Sequence, residues 1–253
     1  MDFDLTYNPF SLNGKTILIT GASSGIGRAT AIECSKLGAI CIITGRNELR
    51  LNDTLSHLVG EGHKSVLCDL DNIDAIDEMV NKLPTLNGLV NNAGFNVMLP
   101  IQFIKESELK HLLQTNTISP ILLLQKLLKA KKLLNSSSVV FTSSLSGMGK
   151  NSPGNSMYTA SKGAISAFVR NAALDLAHKK IRVNAVCPAM VETHIIDHGI
   201  HSEEQLLENM KRYPLGRWGK PEDIAFAIIY LLSEASSWVT GTNMILDGGI
   251  SAR

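Results

Sequence analysis

Charge imbalance is what this chain most clearly lacks: 24 Lys and Arg face 23 Asp and Glu, a formal net charge of +1 over 253 residues. Nothing in that balance draws the chain to a nucleic-acid backbone or to an anionic membrane surface. Cysteine is sparse, and Cys34, Cys41, Cys68 and Cys187 show no metal-ligand spacing and lie in apolar segments. They read as reduced core thiols of a cytosolic protein, not as a disulfide framework, and no His/Cys/carboxylate cluster suggests a metal. Long apolar runs are missing too. The greasiest window, residues 118 to 128, is broken by Pro120, Gln125 and Lys126 and is too short to span a bilayer. Met1 to Thr6 is acidic and lacks the basic start and apolar stretch of a signal peptide, so a soluble, cytoplasmic protein is expected.

What is present is an alternation. Lys15–Thr20, Ile40–Thr44, Ser65–Cys68, Leu86–Asn91, Ser138–Thr142, Ile181–Val186 and Met244–Leu246 read as short apolar strands. Helical patterns fall between them: Arg28–Leu37, Asn47–Val59, Ile73–Leu83, a long one over Lys105–Ala130 bent near Pro120, and one from Met157 to His178. Pro221 opens another at its favoured first position. Apolar strands interleaved with helices imply an α/β fold, a single doubly wound Rossmann-type domain over 1–253. Its central parallel sheet has about seven strands with helices on both faces. Residues 189–220 form the longest irregular stretch, and long loops at the carboxyl ends of strands build sites in such folds, so a substrate lid is expected there.

The first strand runs into Gly21-Ala22-Ser23-Ser24-Gly25-Ile26-Gly27 and then a helix. That is the context a dinucleotide fingerprint needs, although the spacing is Gly-x-x-x-Gly-x-Gly rather than Gly-x-Gly-x-x-Gly. Gly21 suits the sharp turn, Gly25 lets backbone approach a pyrophosphate, Gly27 permits close helix–strand packing, and free N–H groups at the helix start meet phosphate charge. After the second strand the chain offers no acid for a ribose 2′-hydroxyl; Arg46 offers a fork-shaped cation suited to a 2′-phosphate, which predicts NADP(H). Tyr158 and Lys162 are four residues apart, on one face of one helix. An ammonium held about 4 Å from a phenol favours the phenolate by about 4 kcal/mol at an effective dielectric near 20, so Lys162 is expected to bring Tyr158 toward the working range of acid–base catalysis.

Thr20 to Gly27, Asn91-Asn92-Ala93-Gly94, Ser144 and the Tyr158/Lys162 pair together resemble the short-chain dehydrogenase/reductase family, from about residue 12 to residue 250. The resemblance implies that Ser144, with Ser143 and Ser146 as the neighbouring alternatives, orients a substrate carbonyl, and that Asn116 positions a water linking Lys162 to solvent. It places Gly21, Ser23, Ser24, Gly25, Ile26 and Gly27 on the cofactor, with Arg46 marking NADP-preferring members. Asp69 and Leu70 match the acid–apolar pair at the adenine, and Asn92, Ala93 and Gly94 line the cofactor, the side-chain amides bracing the glycine loop. Tyr158 and Lys162 reach the nicotinamide end, and Pro188 and Thr193 stand where the family bonds the carboxamide. Ala189 replaces the usual glycine there, which matters only if that position needs φ > 0.

The C-terminal pattern most resembles 3-oxoacyl-carrier-protein reductases, which implies an acyl-thioester substrate and possible docking of acyl carrier protein. Lys129, Lys131, Lys132, Lys179, Lys180 and Arg182 are the candidate basic patch for that carrier. A small alcohol, sugar or other ketone substrate is the nearer alternative. A non-catalytic NADP(H)-sensing regulator would be expected to lose Tyr158, Lys162 or Ser144, and all three are present. By resemblance the chain assembles as a homodimer or homotetramer. His194, His198 and His201 are candidate substrate contacts in the lid.

Overall fold

The computed structural model describes residues 7–193 and 208–252. Its strands are β1 (Thr16–Thr20), β2 (Ile40–Gly45), β3 (Lys64–Leu67), β4 (Leu86–Asn91), β5 (Leu133–Thr142), β6 (Arg182–Pro188) and β7 (Asn243–Leu246). They form one seven-stranded sheet in the order β3-β2-β1-β4-β5-β6-β7, and every pair is parallel. Parallel neighbours need crossovers, which the helices supply: α1 (Gly25–Lys36), α2 (Glu48–Ser56), α3 (Ile73–Lys82), α4 (Glu106–Leu113), α5 (Ser119–Lys129), α6 (Ser156–Leu176) and α7 (Pro221–Leu232).

Successive strand residues face opposite layers, so the apolar strands feed two cores. Leu18, Leu89, Val139 and Val183 pack on one face with Ile76, Leu124, Leu127 and Val169 of α3, α5 and α6. Ile17, Ile19, Val90 and Val140 pack on the other with Ala31 and Cys34 of α1 and Ile228 of α7. All four cysteines are buried in this way, and burial pushes each thiol's pKa up. Among the described residues no group of three or more His, Cys, Asp or Glu is placed to hold a metal ion, and no helix is long and apolar enough to cross a membrane.

Two expected elements are built differently. The long helix over 105–130 is three pieces: α4, a π-helical turn over Gln114–Ile118, and α5. The irregularity thus precedes Pro120, which sits in the first turn of α5 where its missing N–H costs nothing. β5 begins at Leu133, five residues before the apolar run. Its early part is serine-rich, carries Ser136 at φ 61°, and shifts register between the pairings of Leu86 and Gly88.

The topology fixes where a site can form. From β1 the chain winds through β2 to β3, then returns to place β4 on the other side of β1. Loops leaving the carboxyl ends of β1 and β4 therefore diverge and leave a crevice. Gly21 follows β1, Asn92 follows β4, and Thr142 ends β5 at this same edge.

Candidate functional site

The turn after β1 is held by side chains from β4. Thr20 Oγ1 donates to the Val90 carbonyl and accepts the N–H groups of Asn92 and Ala93. The Asn92 amide donates to the carbonyls of Thr20 and Gly21, and its oxygen accepts from Thr142 Oγ1. Glycine is required here for two separate reasons. Gly21 has φ 64°, and a Cβ on it would come within 2.8 Å of Ala93 Cα. A Cβ on Gly27 would overlap the Gly21 carbonyl oxygen and lie 2.5 Å from Asn92 Nδ2. Gly25 has φ 54°, and a Cβ on it would face the Thr193 methyl at 3.2 Å. Thr193 and the glycine turn therefore lie on one wall.

The start of α1 is free for an anion. Ser24 is its N-cap but makes no side-chain capping bond, and the first turn carries no acid. Unpaired N–H groups and the positive end of the helix dipole suit a pyrophosphate. The Ser23 side chain lies against Gly45 at the end of β2, and Arg46 is exposed immediately after it. Asp69 accepts from the Asp71 N–H, while Asn72 caps α3, so Asp69 is not committed to helix capping. The segment is tied down from behind. Ser119 Oγ donates to the Leu70 carbonyl, and Thr115 and His111 both bond the Asp71 carboxylate. Together these residues form a cradle whose shape and charge fit a dinucleotide.

At the other end of the crevice Lys162 is 4% exposed. Its Nζ donates to the Thr142 carbonyl at 2.8 Å and lies 5.8 Å from the centroid of the Tyr158 ring. A Cβ on Gly94 would come within 3.2 Å of Lys162 Nζ and 2.9 Å of Asn116 Oδ1, so glycine keeps this corner open. Asn116, in the π turn, donates to the Phe95 carbonyl and to Ser161 Oγ and accepts the Phe95 N–H. π turns recur at functional sites because the extra residue re-aims a side chain.

The three serines separate. Ser143 Oγ donates to the Lys162 carbonyl and pairs with Ser166, a core role. Ser146 hands its N–H to Ser144 Oγ. Of the three, Ser144 alone acts on the Tyr158 phenol, opposing the rise in its pKa. The loop holding it lies against α6 at Gly147, where a Cβ would come within 2.8 Å of Gly163 N.

The expected lowering of the phenol's pKa by Lys162 is not found here. Burial raises the Tyr158 pKa, and Ser144 is what opposes the rise. The ammonium is committed to a backbone carbonyl instead, and its own pKa is pushed down by burial to about 8. A raised phenol pKa keeps the proton on Tyr158 at neutral pH, which equips it as an acid.

The Lys162 shift has a measurable consequence. The folded chain favours the neutral amine, whereas in the unfolded chain lysine titrates near pH 10.4. Between those values the unfolded state binds more protons, so the Lys162 contribution to stability rises with pH. The stability of the wild type relative to Lys162→Met is expected to rise by about 2 kcal/mol between about pH 7.5 and pH 9.5. Urea midpoints of both proteins at both pH values check this, and parallel changes would exclude it.

Past β6, Pro188 closes the strand and Ala189 donates its N–H to the Leu246 carbonyl. Ala189 is not among the residues with positive φ, so its replacement of glycine carries no strain. Residues on either side of the expected lid are pinned together: Val191 bridges Gly219, Glu192 N–H bonds the Gly219 carbonyl, and the Met190 N–H meets Tyr213 Oη. His194, His198 and His201 lie outside the described residues.

The candidate carrier patch faces the wrong way. Lys129, Lys131 and Lys132 precede β5, and Lys179, Lys180 and Arg182 stand at the start of β6, all at the amino edge of the sheet. Ser144 and Tyr158 follow the carboxyl end of β5. Arg182 is moreover spent on Ser236, Ser233 and Val239.

Sequence reasoning missed Thr20, Thr142 and Ser161 as site supports. Thr20 and Thr142 act partly through backbone atoms and strand position, for which side-chain identity gives little signal. Ser161 could have been found from its place directly before Lys162, on the face of α6 toward Asn116.

Known proteins resemble this chain along nearly its whole length. A family profile described as enoyl-(acyl carrier protein) reductase matches residues 21–251. The chain is 34% identical over 249 residues to tropinone reductase homolog At5g06060 of Arabidopsis thaliana, covering 96% of this chain and 94% of the relative. It is 32% identical over 239 residues to 3-oxoacyl-(acyl-carrier-protein) reductase FabG of Rickettsia felis, covering 94% and 98%. A Beutenbergia cavernae structure, named as a candidate NAD(P)-dependent gluconate 5-dehydrogenase with NADP bound at low occupancy, superposes with a TM-score of 0.89. It is 29% identical, with 97% of this chain and 100% of that one covered. A glycine turn at a β1/β4 crevice and a tyrosine–lysine helix beside it, matched along nearly the whole chain, place this protein in the short-chain dehydrogenase/reductase family of oxidoreductases.

Proposed function

We propose that the chain is an NADP(H)-dependent oxidoreductase interconverting a ketone and a secondary alcohol. One observation carries this reading: the half-buried Tyr158 and the buried Lys162 and Ser144 converge at the carboxyl edge of the sheet, beside a glycine turn able to seat a dinucleotide. Gly21, Ser23, Ser24, Gly25, Ile26 and Gly27 would hold the pyrophosphate, Asp69 and Leu70 the adenine, and Asn92, Ala93 and Gly94 the floor of the crevice. Lys162 and Tyr158 would hold the nicotinamide ribose, and Pro188 and Thr193 the carboxamide. When bound, the reduced nicotinamide supplies a hydride.

The chain's own residues do the rest. Ser144 Oγ accepts from the Ser146 N–H, which leaves its proton for the phenol in the free enzyme and for a substrate carbonyl oxygen once one is bound. Tyr158 gives its proton to that oxygen as the carbonyl carbon is reduced, and is left as tyrosinate. The Lys162 ammonium then offsets that charge, and Asn116 lies on the side from which a proton would be restored.

Preference for NADP(H) over NAD(H) rests on Arg46, which makes no ion pair among the described residues, and on the absence of an acid where β2 ends. Removing a charge-assisted bond to a 2′-phosphate costs about 1.5–3 kcal/mol. Arg46→Ala is therefore expected to raise the KM for NADPH by roughly tenfold or more while leaving that for NADH nearly unchanged. A clear NADH preference in the wild type would discard the assignment.

For the substrate we favour a small ketone, alcohol or sugar over a carrier-bound 3-oxoacyl thioester, because the basic residues lie at the sheet edge away from Tyr158. Initial rates with a panel of ketones, sugars and 3-oxoacyl thioesters, free and carrier-bound, separate the two. Assembly from copies of this chain is supported by edge strand β7, where Ile245 is exposed, and by Trp238 just before it, which is 99% exposed. A cytoplasmic setting is supported by four buried, unpaired thiols.

A further inference from the structure

Asn155 stands at the N-cap of α6, three residues before Tyr158, and it does not cap the helix. Asparagine is among the best capping residues, worth roughly 1 kcal/mol in that role. Here its backbone, at φ −102° and ψ 14°, is not in the extended geometry that brings a cap side chain over the first turn. The side chain turns instead toward the loop after β5, where Nδ2 donates to Ser146 Oγ at 3.3 Å. The residue is 6% exposed, and its Oδ1 is buried without a partner among the described residues. Turning the amide over would let Ser146 donate to Oδ1 but would leave the NH2 end unpaired. Either way a buried polar group goes unsatisfied, which is costly unless the contact to Ser146 is needed.

The contact has a clear recipient. Ser146 passes its own N–H to Ser144 Oγ at 3.2 Å, and that accepted bond fixes the Ser144 side chain. We propose that Asn155 is a positioning residue: through Ser146 it ties the loop carrying Ser144 to the helix carrying Tyr158, so that serine hydroxyl and phenol keep one mutual geometry. The proposal rests on the oxidoreductase reading above for its kinetic consequence but not for its structural one. Among the described residues, the ionisable groups placed near the phenol are Lys162 on the same helix and, beyond it, Cys187 near the end of β6. A change at Asn155 is expected to reach the Tyr158 titration through Ser144.

Asn155→Ser separates positioning from stability, because serine cannot reach Ser146 and also removes the unpaired buried Oδ1. The Tyr158 titration is read from the near-ultraviolet tyrosinate absorbance of each protein minus that of its Tyr158→Phe counterpart. Since Ser144 opposes the rise in the phenol's pKa, Asn155→Ser is expected to shift the titration upward. The melting temperature should hold or rise. With an active substrate, kcat falls roughly tenfold, KM for NADPH does not change, and Asn155→Gln restores part of the loss. An unchanged titration, or a kcat loss matched by a lower melting temperature, overturns the proposal. If the wild type reduces no carbonyl yet the titration shifts, the functional reading has failed and the positioning role stands.

Discussion

Tyr158→Phe is expected to abolish carbonyl reduction while NADPH still binds. The substitution removes one oxygen from a half-buried ring and keeps the ring itself. General acid catalysis contributes about 10²–10⁴-fold, and a phenylalanine has no proton to give. A kcat at least about 10³-fold lower is therefore expected, with the NADPH dissociation constant within about threefold of wild type, because most contacts of the proposed cofactor would lie at the glycine turn. Single-turnover absorbance of NADPH reads the first quantity and quenching of protein fluorescence the second. Wild-type kcat in Tyr158→Phe would refute the role, and would point to a proton donor other than the phenol.

The second large effect is expected at Gly27. An added methyl there would meet the Gly21 carbonyl and the Asn92 amide, both fixed: the first is backbone, and the second holds the turn through two bonds of its own. No flexible side-chain end can move aside, so either the turn or α1 must shift. Overpacking of this kind costs about 1–3 kcal/mol, which for a chain of this size lowers the melting temperature by roughly 3–10 °C. Gly27→Ala should also weaken NADPH binding by at least about tenfold, since the displaced turn is the one that faces the phosphates. By contrast, a Cβ on Gly149 meets nothing within 4 Å. Its φ of 103° still strains alanine, so Gly149→Ala is the control that carries backbone strain without collision. Calorimetry on both variants decides whether collision or strain sets the cost.

How far the chain could be read in advance depended on whether the signal was local. The β1–glycine turn–α1 unit was legible because strand, turn and helix are each encoded in consecutive residues, and β4 falls on Leu86–Asn91 as its apolar pattern predicts. The early half of β5 was not, because Asn135, Ser136 and Ser137 carry no apolar alternation; its register is set by pairing with β4. At the site, Tyr158 and Lys162 announce themselves by helical spacing. Where the ammonium points does not follow from spacing: its partner is the carbonyl of Thr142, a group every residue possesses. The same limit explains the expected drop in the phenol's pKa. Proximity along a helix face was legible, but the burial that sets the direction of the shift and the influence of Ser144 that opposes it belong to the packed molecule. Basic residues at helix ends illustrate the converse, since their number was legible and the edge of the sheet they occupy was not.

The π turn at Gln114–Ile118 carries a cost of its own. An uninterrupted helix from Glu106 to Lys129 would satisfy its backbone more regularly, but each residue advances about 100° around the axis, so losing one would swing either α4 or α5 through that angle. Asn116 would then forfeit the Phe95 backbone, or His111 and Thr115 would let go of Asp71. Attempts to toughen the molecule by straightening this segment would thus trade endurance for function, and the kink is better regarded as a hinge pin than as a flaw awaiting repair.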